Sequence, residues 1–235
     1  MQLIMPTVLD KLTWIHHASF FLIADGISLY IDPWHIADTT QKADIILITH
    51  AHFDHYDKET ILKLLRRDDT GPASSKTTIV CPEDVAEDLH SVVADGDAKI
   101  VTVKPGDHWE GNGYAVEAFP AYNITRPNHP RANDWVGYVL VHNDWTLYHA
   151  GDTDNIPEFE GLVCDVALLP VGGTYTMDPR EAVDMLRHIR CATVVPMHFG
   201  NVVGSPEAGE QFAALVADAG LAVNVVVMKE REPIH

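Results

Sequence analysis

Three short runs constrain the fold of this chain most: "DIILITH" (44–50), "CDVALLP" (164–170) and "ATVVPMH" (192–198). Each is apolar almost throughout and too short for an independent helix, the pattern of a strand buried on both faces. Helical spacing follows each run. "DKETILKLLRR" (57–67) has an acidic start, as a helix N-terminus prefers. "DPREAVDMLRHIR" (178–190) begins with Asp178 as N-cap, Pro179 in the first turn and Glu181 placed for a capping box. "SPEAGEQFAALVADAG" (205–220) reads as another capped helix ending at Gly220, before a final strand "VNVVVM" (223–228). "TTIVCP", "PEDVAEDLHSVV" and "KIVTVKP" (77–105) repeat the strand–helix–strand rhythm.

Antiparallel patterns fill the remainder. "LTWIHHASFFLIADGISLYIDPW" (12–34) reads as two strands around the turn Asp25-Gly26. "YAVEAFPAYN", "WVGYVLVHND" and "WTLYHAGD" read as three more, the last two joined at "HNDW". A polar, proline-containing loop, "NITRPNHPRAND" (123–134), has no period, and long loops of this kind are often functional. Two sheets, each covered outside by helices, account for this order. At 235 residues the chain is expected to form one domain over 1–235 and to bury its core without staples.

Composition narrows the classes. Acidic residues outnumber basic ones 34 to 16, a formal charge of −18, which repels phosphate backbones; no nucleic acid partner is expected. No stretch approaches the ~20 apolar residues of a membrane span, and no membrane partner is expected. "MQLIMPTVLDKLTWIHH" lacks the pattern of a secretory signal. Cys81, Cys164 and Cys191 are scattered and odd in number, which suits a cytoplasmic location and argues against a disulfide framework. A Walker loop, a Gly-x-Ser-x-Gly elbow and a dinucleotide fingerprint are all missing.

The chemistry concentrates where the first apolar run ends. In "THAHFDH" (49–55), residues two apart on an extended segment share a side, so His50, His52 and Asp54 converge while His55 faces the other way. Imidazole and carboxylate are the ligands a borderline cation such as Zn²⁺ takes, and two faces permit two cations. Asp152 in "YHAGDT" and His198 in "VVPMHFG" also stand just past apolar strands. Open α/β sheets place their sites beyond the carboxyl ends of strands, and three strands deliver ligands there.

These residues carry a resemblance. "THAHFDH" resembles the His-x-His-x-Asp-His signature of the metallo-β-lactamase superfamily, and "YHAGDT" and "VVPMHFG" resemble its later metal-binding segments. "HHASFFLI", "LYIDPW" and "LLPVGGTYTMDPREAV" resemble a branch of metal-dependent hydrolases that includes ascorbate-6-phosphate lactonase and N-acylphosphatidylethanolamine phospholipase D. The resemblance runs from about His17 to Gly200. It implies a four-layer αββα sandwich, an α/β fold of two mixed sheets flanked by helices, with up to two metals at the sheet edges. By motif position His50 and His52 hold the first metal and Asp54 and His55 the second. Asp152 bridges the two, and His198 completes the second. The cofactor implied is Zn²⁺, one or two per chain, with Mn²⁺ or iron as alternatives.

The chain departs from that pattern at "EAFPAYN", where binuclear members supply a further histidine and this sequence offers Tyr122 and Asn123. Either an amide or water takes the place, or His129 in "PNHPRAN" comes in from the loop; the ordinary structural reading of His129 is a solvent-exposed residue. Asp32, in "YIDPW", either orients a ligand imidazole or caps a turn before Pro33. His17 matches the branch's N-terminal histidine and is expected to line the site. His149 is read as lying near the metals, and Trp34, His35, Tyr56 and Tyr175 as lining the pocket mouth, with packing as the alternative for the aromatics. His16, His90, His108, His142, His188 and His235 are read as structural. Gly172-Gly173 either allows close backbone approach or makes a turn.

The expected activity is hydrolysis of a small ester, lactone or phosphoester by a metal-bound hydroxide. Asp54, Asp152 and His129 are the catalytic candidates, with the leaving-group proton coming from His129, His17 or Tyr175. The alternatives are an iron-dependent oxidoreductase on the same scaffold, or a non-catalytic metal-binding protein with a degenerate site. The partner expected is a small-molecule substrate, and a homo-oligomer is compatible with the sequence.

Overall fold

A computed structural model describes residues 7–36, 41–66 and 76–231. The chain divides into two compact units, one built mainly from Lys11–Lys104 and the other mainly from Pro105–Lys229. Among the described residues each contains one mixed sheet and two α-helices.

The N-terminal unit has a six-stranded sheet in the order β1 (Leu12–His16), β2 (Ser19–Ala24), β3 (Ile27–Ile31), β4 (Ile45–Leu47), β5 (Thr77–Cys81) and β6 (Ala98–Thr102). β1 to β3 pair antiparallel, and β3 to β6 pair parallel. Helices α1 (Lys58–Leu64) and α2 (Glu83–Leu89) make the crossovers. Ile61 and Leu64 of α1 and Val85 and Leu89 of α2 join Tyr30, Ile46 and Ile79 of the sheet in one buried cluster. Burial of each such side chain contributes roughly 1.5–3 kcal/mol. β4 is buried at every position, as its unbroken apolar run requires.

Residues 12–34 form three strands rather than two. The additional turn lies at His17-Ala18, with His17 at φ 51 and both residues fully buried. Trp14 Nε1 donates to the His17 carbonyl at 2.9 Å and holds it. Glycine, asparagine and proline are all missing from this turn, so its sequence reads as continuous strand. Both helices are shorter than their patterns: α1 ends at Leu64, with Leu65 extended, and α2 gives way to turns after Leu89. Arg67, in the pattern for α1, lies outside the described residues, as does His235.

The C-terminal unit has a seven-stranded sheet in the order β13 (Asn224–Val225), β12 (Arg190–Met197), β11 (Val163–Pro170), β10 (Trp145–His149), β9 (Val136–His142), β8 (Tyr114–Pro120) and β7 (His108–Gly111). β7 to β10 pair antiparallel, and β10 to β13 pair parallel. α3 (Pro179–Met185) carries the expected capping box between Asp178 and Glu181. α4 (Ala208–Asp218) has no side-chain cap at its N-cap Glu207; the Ser205 hydroxyl instead accepts from the Glu207 N–H at 3.1 Å. The final strand pairs over only two residues, Asn224 and Val225, and the Val226 N–H adds one bond to Val194 O at 3.0 Å. β7 was not expected, although Asn112-Gly113, both at positive φ (51 and 81), is a hairpin signal.

The cysteines are all free. Burial pushes the thiols of Cys81 and Cys191 up to about 12, and raises Cys164 as well. A solvated cysteine titrates near ~8.5. The stability these neutral thiols contribute is therefore complete below about pH 8.5 and is lost as pH rises towards 12. Iodoacetamide at pH 8 is expected to label the native protein slowly and the urea-denatured protein rapidly at three positions. Equal labelling rates in the two states would contradict this.

Candidate metal centre

In the N-terminal unit the candidate donors hang on one buried carboxylate. β3 ends at Ile31, and Asp32 turns immediately into the left-handed region (φ 46) while its N–H donates to Leu47 O at 2.9 Å. Its side chain is fully buried. Oδ1 accepts from the Thr49 N–H at 2.7 Å. Oδ2 accepts from the Thr49 hydroxyl at 2.7 Å and lies 2.7 Å from His55 Nδ1. A buried carboxylate here accepts only, so His55 carries its proton on Nδ1. The Thr49 hydroxyl directs its one hydrogen at Asp32, so at 2.9 Å its oxygen accepts from His50 Nδ1. Both imidazoles thus present Nε2 as a lone pair, the form a metal ligand needs. Asp32 thus holds His55 directly and His50 through the Thr49 hydroxyl. Thr49 was not anticipated; as a β-branched residue ending an apolar run it reads as plain strand.

The segment after His50 is not extended. The N–H groups of His55 and Tyr56 both donate to His52 O (3.1 and 2.9 Å), which closes a turn. The two-residue alternation expected for His50, His52 and Asp54 therefore fails. The His50 ring lies 4.6 Å from His52 and 4.0 Å from His55. Asp54 turns instead towards His17, whose Nε2 is 3.0 Å from Asp54 Oδ2. His17, Asp54 and His55 each offer an atom within 4.8 Å of the others, and so do His50 and His52. Trp34 stacks edge-on to His17 (5.5 Å), and His35 is exposed. Tyr56 belongs to the buried core cluster, not to a pocket mouth; burial and the neighbouring Asp88 raise its phenol.

In the C-terminal unit β10 ends at His149, and Gly151 (φ 61) turns the chain to bury Asp152. β12 delivers His198, also fully buried and left-handed (φ 58), with Nε2 2.9 Å from Asp152 Oδ1. His129 is buried, not an exposed loop residue; it packs on Trp135 (4.5 Å between rings) and offers an atom within 4.8 Å of Asp152. Both ends of the Asn123 amide are engaged within the protein. Its Oδ1 accepts from the His129 N–H (3.1 Å), and its Nδ2 donates to Asp154 Oδ1 (3.1 Å) and Tyr175 O (2.9 Å). His149 accepts from the Gly151 N–H at Nδ1 (3.2 Å). The Tyr175 side chain is 38% exposed.

Both readings of Gly172-Gly173 hold. A Cβ on Gly172 would sit 2.1 Å from the His198 carbonyl oxygen, and Gly173 makes a left-handed turn (φ 70). Asp154 and Arg126 were not anticipated. Burial alone would lower the Arg126 pKa, but hydrogen bonds and charge from Glu181 and Asp154 hold it raised.

Residues 11–198 match the model of the beta-lactamase superfamily domain. The crystal structure of a candidate metal-dependent hydrolase from Parabacteroides distasonis superposes with a TM-score of 0.76 at 31% identity, covering 94% of this chain and 93% of that one. The fold is therefore that of the metallo-β-lactamases. A UPF0173 metal-dependent hydrolase from Anaeromyxobacter sp. (strain K) is 35% identical over 243 residues, covering 91% of this chain and 83% of that one. A UPF0173 protein from Pyrococcus abyssi is 32% identical over 203 residues, covering 85% and 88%. The chain belongs to the UPF0173 metal-dependent hydrolase family of this superfamily.

Proposed function

We propose that this protein hydrolyses a small ester, lactone or phosphoester with two divalent cations. By the superfamily's motif positions, His50 and His52 would hold the first cation and Asp54, His55 and His198 the second, with Asp152 a ligand and His129 a candidate for the first. The observation that carries the reading is the Asp32–Thr49 pair: by occupying Nδ1 of His50 and His55 it leaves two buried Nε2 lone pairs with a fixed aim. The donors are mainly imidazole with two buried carboxylates, which suits Zn²⁺. Burying those carboxylates is costly unless a cation compensates them. When bound, such a metal supplies Lewis-acid polarisation and an acidified water.

The chain's own residues do the rest. His17 holds Asp54 in place through a buried hydrogen bond. Likeness to the branch containing ascorbate-6-phosphate lactonase and N-acylphosphatidylethanolamine phospholipase D supports the ester and phosphoester classes. The acidic composition supports a small cytoplasmic substrate over nucleic acid. Among the described residues no helix is long and apolar enough to cross a membrane.

The test is metal content by mass spectrometry on protein purified without a tag or added metal, followed by a panel of esters, lactones and phosphodiesters. Two zinc ions per chain are expected, with hydrolysis lost on chelation and restored by Zn²⁺. Hydrolysis that survives complete chelation, or failure to take up metal under any loading condition, would sink the proposal. Bound iron with oxygen consumption would transfer it to oxidative chemistry.

A further inference from the structure

We infer that Asp154 and Arg126 are positioning residues, which act through Asn123 to hold the loop 123–129 in the shape that sets His129 beside Asp152. The inference rests on the reading of His129 as a metal ligand. Asn123 closes this loop on His129 twice: its own N–H donates to His129 O at 2.7 Å, and its side-chain oxygen accepts from the His129 N–H at 3.1 Å. The Asn123 side chain thereby holds the backbone of His129.

Asn123 is in turn held by Asp154. The Asp154 carboxylate is buried; Oδ1 takes Asn123 Nδ2 (3.1 Å), and Oδ2 takes the Ile124 N–H (2.8 Å). Arg126 pairs with the same Oδ1 and reaches Glu181 Oε2 at 2.7 Å. That oxygen also accepts the Asp178 N–H at 2.9 Å in the capping box of α3. The loop has no helix or strand of its own before Arg131, so these bonds decide its shape. Charge-assisted bonds around a buried carboxylate are strong when complete and costly when one member is lost.

The test is Zn²⁺ and Co²⁺ titration of the full chain, with native mass spectrometry for stoichiometry. Asp154→Ala is expected to weaken one of the two ions by roughly 10–100-fold and leave the other unchanged. His129→Ala is expected to lose the same ion. The double variant should be no weaker than His129→Ala alone, because Asp154 acts only through His129. Arg126→Ala reproduces part of the loss and Arg126→Lys restores part of it; this pair carries the test if Asp154→Ala fails to fold by circular dichroism. Additive losses in the double variant, equal weakening of both ions, or wild-type binding in Asp154→Ala would overturn the inference. A wild type that binds no second ion would overturn the two-metal reading beneath it, while a His129→Ala variant that keeps both ions removes only His129 and its positioning network.

Discussion

Asp152→Ala is expected to keep its fold, retain at most one metal ion and lose about a thousandfold or more of its hydrolytic rate. A thousandfold is about 4 kcal/mol of barrier, within what loss of a metal's charge stabilisation removes. Asp152 is nearly buried, 2.9 Å from His198 and within 4.8 Å of a His129 nitrogen. The metal dependence of the stability effect is the sharper check. In chelator the cost of burying the Asp152 charge is offset in part by its 2.9 Å contact with His198, so Asp152→Ala should shift the metal-free melting temperature far less than the zinc-loaded one. Thermal melts with and without Zn²⁺ separate the two contributions. A large fall in the metal-free melting temperature would mean that Asp152 is a structural residue.

Asp32→Ala should behave in the opposite way. Its carboxylate accepts the Thr49 N–H, the Thr49 hydroxyl and the His55 Nδ1–H, all within 2.7 Å and all buried. Removing it strands those donors, at about 3–5 kcal/mol for a broken buried network. The loss should be present in chelator as well as in metal. Metal affinity should fall by roughly 10–100-fold in addition, because His50 and His55 lose their fixed aim. Urea denaturation in chelator measures the first effect and Zn²⁺ titration the second. A variant as stable as wild type would show that water replaces the carboxylate and that the orienting role is not real.

Much of the fold was legible because buried parallel strands cannot hide: the runs at 44–50, 164–170 and 192–198 became β4, β11 and β12. The ligand candidates were legible for the same reason, since an ionisable residue directly after such a run breaks its pattern. What escaped detection was structure made by tertiary contacts. The turn at His17 is held by Trp14 from within the core and carries no turn residue. The grouping of Asp54 with His55 depends on a turn closed on His52 O, which spacing rules for extended chain do not contain. Asn123 was visible as a departure. Its partner Asp154, two residues past Asp152, became meaningful only once both lay on one network.

His17, Asp32 and His198 all occupy left-handed backbone, at φ 51, 46 and 58. Residues with a Cβ adopt that region at some cost, and glycine would relieve it. A redesign scored on thermal tolerance alone would therefore favour glycine at these three positions. It would exchange the buried Asp32 carboxylate and two imidazoles of the candidate site for a calmer chain, and the product would keep the family's outline without its donor atoms.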